Sequence, residues 1–121
     1  MLMLLLTHNH YVLTAHDWIP IDEIQLGETL IGVKNNLLVP SKVLTLSHLD
    51  YTGIVRSYND DLLIGKNIKL DAWSRNPIEL EEPLRYNFTG ELFSIITSTN
   101  NVIVRYGNTQ DYTLLLCQTV E

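Results

Sequence analysis

Thr7 and His10 stand three residues apart in the run Leu6-Thr7-His8-Asn9-His10-Tyr11-Val12-Leu13. A hydroxyl and an imidazole at that spacing can act on one amide. The imidazole protonates or polarises it, and the hydroxyl hydrogen-bonds the same group, as an acyl shift at a peptide bond requires. His8, His10, His16 and Asp17 form a second grouping. On an extended strand His8 and His10 share a face, and neutral imidazoles bind zinc. No Asp-His pair follows in the right order and no further ligand is evident beyond His48, so solvent-facing or packed histidines are expected. No metal or cofactor is expected. A third grouping is Tyr58-Asn59-Asp60-Asp61. Adjacent carboxylates hold magnesium only with another carboxylate and substrate phosphates, so an exposed acidic turn is the better reading.

These side chains need strands to carry them. Apolar or β-branched runs at 1–6, 11–14, 29–33, 37–49, 53–58, 92–97, 102–106 and 112–116 predict short strands. Asn35-Asn36 suits a tight hairpin turn because Asn tolerates positive φ. Turns at Thr99-Asn100-Asn101 and Gly107-Asn108 are expected to join the last three strands as hairpins. Residues 21–26 predict one helical turn, with Pro20 near its start and Gly27 as its stop. Residues 76–83 lie between Pro77 and Pro83 and read as a loop or a single turn. The expectation is one all-β domain spanning residues 1–121, with at most one or two short helical turns.

Composition narrows the function. The chain has 121 residues, enough for one core. Its net charge is -6 and its basic residues are scattered, which argues against binding a phosphate backbone. Cys117 is the only cysteine, so no disulfide framework forms within the chain, and a reducing, cytoplasmic setting is expected. In its apolar run Cys117 reads as a buried thiol. The apolar start is too short to span a membrane and lacks the marks of a signal peptide, so a soluble protein is expected. The Asn87-Phe88-Thr89 sequon is then idle. Trp18 and Trp73 read as core or loop anchors.

Asp50-Tyr51-Thr52-Gly53-Ile54-Val55 echoes Asn87-Phe88-Thr89-Gly90-Glu91-Leu92. The echo is either a coincidence between two turn-strand junctions or the trace of a pseudo-duplicated β fold. Gly at each permits a bend or a close approach.

Three features in order carry a family resemblance: Thr7-x-x-His10, then Trp18, then Ile24-Gln25-Leu26-Gly27-Glu28-Thr29-Leu30. They resemble a block of the Hint fold, the module of inteins and hedgehog-type autoprocessing domains. The stretch 86–105 resembles the penultimate Hint block, with an aromatic-x-Gly strand, a polar turn with Asn and a second apolar strand. Together the two cover about half the chain. The resemblance implies a pseudo-duplicated all-β Hint-like fold, with Thr7 and His10 activating a scissile amide for an N-to-S or N-to-O acyl shift.

The chain also departs from that pattern. Only six residues precede Thr7 and none is a nucleophile. Cys117 follows Leu115-Leu116 where an intein has His-Asn before its final nucleophile. The expectation is therefore a piece of a split element, complemented by an N-terminal fragment that brings the nucleophile, or a catalytically silent remnant. The rival expectation is a small β-rich binding or assembly protein of a virus or mobile element. It would pair its apolar terminal strands with a partner, or with a second copy as a homo-oligomer.

Overall fold

The computed structural model describes residues 2–58, 61–64, 70–74, 84–107 and 112–119. The fold is all-β, with a single 3₁₀ turn at Ile21–Glu23. The strands are β1 (Leu2–Met3), β2 (Leu5–Thr7), β3 (His10–Leu13), β4 (Trp18–Pro20), β5 (Thr29–Lys34), β6 (Leu37–Tyr58), β7 (Asp61–Ile64), β8 (Leu70–Ser74), β9 (Leu84–Thr97), β10 (Asn101–Tyr106), β11 (Thr113–Leu116) and β12 (Gln118–Thr119). They form two five-stranded antiparallel sheets, ordered β5-β6-β7-β2-β9 and β4-β3-β10-β11-β8, and a two-stranded ribbon of β1 and β12. In the first sheet β6 also pairs with β9, so β6, β7, β2 and β9 close into a ring.

The sequence divides 37–49 from 53–58, but they form one strand of 22 residues. At about 3.3 Å per residue its contour is roughly 70 Å, twice the ~35 Å width of a compact domain this size. It must therefore curve. One end pairs with β5 through the Asn35-Asn36 turn, where both φ values are positive (53° and 62°), as Asn tolerates. The other end belongs to the ring.

The echoed segments pair directly within β6 and β9. Tyr51 lies opposite Gly90, Gly53 opposite Phe88 and Thr52 opposite Thr89. The local two-fold axis of this ladder passes through the Thr52–Thr89 pair and maps one echo onto the other. Each aromatic also covers its own glycine. A Cβ on Gly53 would stand 2.6 Å from Tyr51 Oη, and one on Gly90 would stand 2.9 Å from the Phe88 ring. The repeat in sequence is a repeat in space, and a larger residue at either glycine would have to push the covering ring aside.

The sheets bury a shared apolar interior. Leu6, Val43, Phe93 and Ile95 of the first sheet pack with Val12, Val102, Val104 and Leu115 of the second. Ile21, Ile24 and Leu30 close one side. Leu4 interrupts the first apolar run, and its N–H donates to the Cys117 carbonyl at 2.9 Å. Cys117 is buried as a free thiol, as read from the sequence.

Several expected connections differ. The helical turn stops at Glu23, since Ile24 is already extended. Gly27 has φ of 84° but serves the following turn, donating its N–H to the Val43 carbonyl at 3.0 Å. The 98–100 turn does not make a hairpin, because β9 and β10 lie in different sheets. Of the terminal apolar runs, β2 pairs with β7 and β9 and β11 pairs with β10 and β8, while β1 pairs with β12 alone. Asn59, Asp60, Asn108 and residues 76–83 lie outside the described residues, as does the Trp73 side chain.

The 97–101 crossing is tied by a polar network. Thr97 Oγ1 donates to the Asn101 carbonyl at 2.8 Å. The Asn101 side chain accepts from the Val33 N–H at 3.0 Å and donates to the Val33 carbonyl at 2.8 Å, pairing with β5 as a strand would. Ser41 Oγ and Thr99 Oγ1 are 2.7 Å apart, and Thr99 Oγ1 donates to Asn101 Oδ1 at 2.9 Å. This network occupies the space beside Gly32. A methyl there would overlap Thr99 Oγ1 and come within 2.9 Å of Asn101 Oδ1. Gly32→Ala is therefore expected to destabilise the fold by about 2–4 kcal/mol, through overpacking and broken hydrogen bonds. Urea unfolding measures it, and a midpoint equal to the wild type would show the network to be dispensable.

Candidate functional site

The chain leaves the first sheet at Thr7, the last residue of β2, and enters the second at His10, the first residue of β3. His8 and Asn9 form the corner. The first strand therefore ends at Thr7. The expectation that His8 and His10 share a face also fails, because the corner separates them. His8 is exposed, while Thr7 and His10 are 1% and 0% exposed.

Both flanks of the corner are held by register. Thr7 pairs with Leu92 of β9, and His10 pairs with Tyr106 of β10. The Gly107 N–H donates to the Asn9 carbonyl at 2.9 Å, with Gly107 at φ 55°. The Tyr106 ring lies 5.2 Å from the imidazole, centroid to centroid.

Within the corner, His10 Nδ1 is 2.9 Å from the Thr7 carbonyl oxygen and 3.4 Å from Thr7 Oγ1. A carbonyl only accepts, so Nδ1 carries the proton and Nε2 carries the lone pair. Nε2 is buried and has no hydrogen-bond partner. Burial pushes the His10 pKa down from 6.5 to about 4; the Thr7 carbonyl partly opposes this and His8 adds slightly to it. His10 is therefore neutral at pH 7, with one unused acceptor inside the protein. Such a nitrogen can accept a proton from a thiol or hydroxyl, or a hydrogen bond from an amide N–H. It can donate only after it has taken up a proton.

The other singled-out residues do not join this pair. Cys117 lies at the far end of β10 from His10, its N–H donating to the Asn100 carbonyl at 2.9 Å. Burial raises its pKa, so it stays a thiol. Thr14 Oγ1 accepts from the His16 and Asp17 N–H groups and donates to the Asp17 carbonyl, making that stretch a tight hairpin. His48 is exposed on β6, 3.6 Å from Glu91. No three His, Cys, Asp or Glu side chains among the described residues converge to hold a metal. No helix among them is long and apolar enough to cross a membrane.

One grouping has no motif to announce it. Arg105 lies opposite Tyr11 in the β10–β3 ladder, and Trp18 comes from β4. The Arg105 guanidinium carbon stands 5.3 Å from the Tyr11 ring centroid and 5.0 Å from that of Trp18. Tyr112 adds a third ring, 6.2 Å from Trp18. Separations along the chain of seven and of more than eighty residues leave no periodic signal, so only the register brings these side chains together.

No protein-family model matches the sequence, and no curated protein matches it.

The histidine gives a sign for pH dependence. The folded state binds the His10 proton more weakly than the unfolded chain. Its contribution is full above pH 6.5 and is lost as pH falls from there towards 4. The shift corresponds to about 3 kcal/mol. Urea midpoints of wild type and His10→Gln, compared at pH 7.5 and 4.5, are expected to show a shallower pH slope for the variant. Equal slopes would mean that His10 does not titrate in this way.

Proposed function

We propose that the chain is a Hint-like, intein-like domain reduced to the activating half of a self-processing site, and silent by itself. The observation that carries this reading is the His10 imidazole, locked by its Nδ1–H to the Thr7 carbonyl and left with an unused, buried Nε2 lone pair. A packed histidine with no task would be expected to satisfy both nitrogens. Thr7-x-x-His10 is also where the Hint resemblance places its activating pair.

In this reading a segment outside these 121 residues brings a Cys or Ser nucleophile and the scissile amide. The sulfur or oxygen attacks the amide carbonyl carbon. His10 Nε2 takes the proton from the nucleophile and passes it to the departing nitrogen as the C–N bond breaks, giving a thioester or ester and a free amine. Thr7 Oγ1, 3.4 Å from His10 Nδ1, is the hydroxyl that the resemblance assigns to the same amide. Thr7 and His10 are covered in the chain alone, so the arriving segment must displace what covers them. A reducing, cytoplasmic compartment fits a chemistry that depends on a free thiol.

The test begins with the protein isolated natively. Intact-mass spectrometry is expected to find a companion fragment that begins with Cys or Ser. Mixing that fragment with the chain should give a hydroxylamine-sensitive (thio)ester. His10→Ala should reduce its formation at least ~100-fold, the usual weight of a general acid-base, with the fold retained by circular dichroism. A single species of the encoded mass with no companion, or unchanged ester formation in His10→Ala, would sink the proposal.

A further inference from the structure

The β5–β6 hairpin is covered on one side only. Leu30 and Gly32 of β5 and Ser41 and Val43 of β6 are buried. Side chains alternate along a strand, so the residues between them point the other way. That second face sets Val33 opposite Leu38, Ile31 opposite Pro40 and Thr29 opposite Lys42, and Leu44 continues it past buried Val43. Leu38 and Leu44 are each 56% exposed, and Pro40 is exposed. Ile31 and Val33 are half-buried, yet neither belongs to an apolar cluster of the interior. Cross-strand neighbours touch, so these apolar groups form a patch open to water, where the outer face of an antiparallel pair is ordinarily polar.

The edge beside this face is closed. Thr14 bridges to Leu30, and the Asn101 side chain takes both the N–H and the carbonyl of Val33. An extended peptide that added itself to β5 would find those groups used. The occupant must bring a face of its own, as one sheet of a sandwich does for the other.

Charge selects the occupant. Lys42 is the one charged residue that the two strands place on this face. Further along β6, Asp50 and Glu91 lie opposite each other and both are exposed. Each copy of the chain carries a net charge of -6, so two copies repel least where the paired strands present no carboxylate. From the open apolar face, the closed edge and this charge pattern, we infer that two copies of the chain pack face to face through their β5–β6 hairpins. With the strands of the two copies running in opposite directions, each Lys42 sits over the Asn35-Asn36 end of the other hairpin, and the two lysines stay apart. A standard interface takes about 20–30 residues from each partner, and this face with its rim supplies roughly half of that. The dimer is therefore weak, with a Kd of about 10–100 µM.

Sedimentation equilibrium of the full chain from about 1 µM to 1 mM tests this, and the mass is expected to rise from one chain to two across that range. Leu38→Glu and Leu44→Glu each bring a carboxylate from both copies into the contact and should weaken it at least ~10-fold. Ile54 is 54% exposed but lies beyond the hairpin, so Ile54→Glu should leave the dimer unchanged. Circular dichroism checks the fold of each variant, and Leu44→Glu carries the test if Leu38→Glu unfolds. A single-chain mass up to 1 mM would overturn the inference and leave the face to a different partner. So would dimers as tight as wild type in the two leucine variants, or equal weakening by Ile54→Glu.

Discussion

A chain that passes from one sheet to another leaves its last carbonyls without a ladder, and a buried carbonyl must find a donor. Of the five connections between the sheets, the two at 7–10 and 97–101 are each met by a side chain nearby. At the first corner His10 donates to the Thr7 carbonyl. At the second, Thr97 donates to the Asn101 carbonyl, while the Asn101 amide pairs with both backbone groups of Val33. The strands that flank one corner pair with the strands that flank the other, β2 with β9 and β3 with β10. The polar corners therefore fix how the two sheets meet, and the apolar interior fills the space that they define.

This constraint gives the Thr7-x-x-His10 spacing two meanings. Structurally, the imidazole fastens a corner. Chemically, fastening it by Nδ1 forces the lone pair onto Nε2 and turns it inward, where burial keeps it neutral. The same hydrogen bond that stabilises the turn sets the tautomer a proton acceptor requires. A neutral imidazole with one unused, buried acceptor therefore arises from the fastening of a strand corner.

The glycines mark a second physical theme, in which one residue takes the place of another's side chain. At Gly32 the space is filled by Thr99 and Asn101, and at Gly53 and Gly90 it is filled by Tyr51 and Phe88. The first joins β5 to the 98–100 turn, and the second gives the β6–β9 ribbon its local two-fold symmetry. Both rest on close approach, which a larger residue at Gly32 would break and one at Gly53 or Gly90 would meet only by displacing a ring.

Sequence by itself determined the β class, because branched and aromatic runs cut by Asn and Gly leave no room for helices. It also determined the Asn35-Asn36 turn, whose positive φ suits that residue, and the pairing of Thr7 with His10. It did not determine that 37–58 is one strand, since Gly53 reads as a break until Tyr51 is seen to cover it. It placed His8 and His10 on one face, because period-2 reasoning cannot see a corner that only the crossing between sheets creates. The 98–100 turn looked like a hairpin for the same reason. Arg105 with Tyr11 and Trp18 was invisible, since those contacts depend on register between strands far apart in the chain. Local chemistry is written in neighbouring residues, whereas the partner of each strand is decided by which pairings bury the core with every corner carbonyl satisfied.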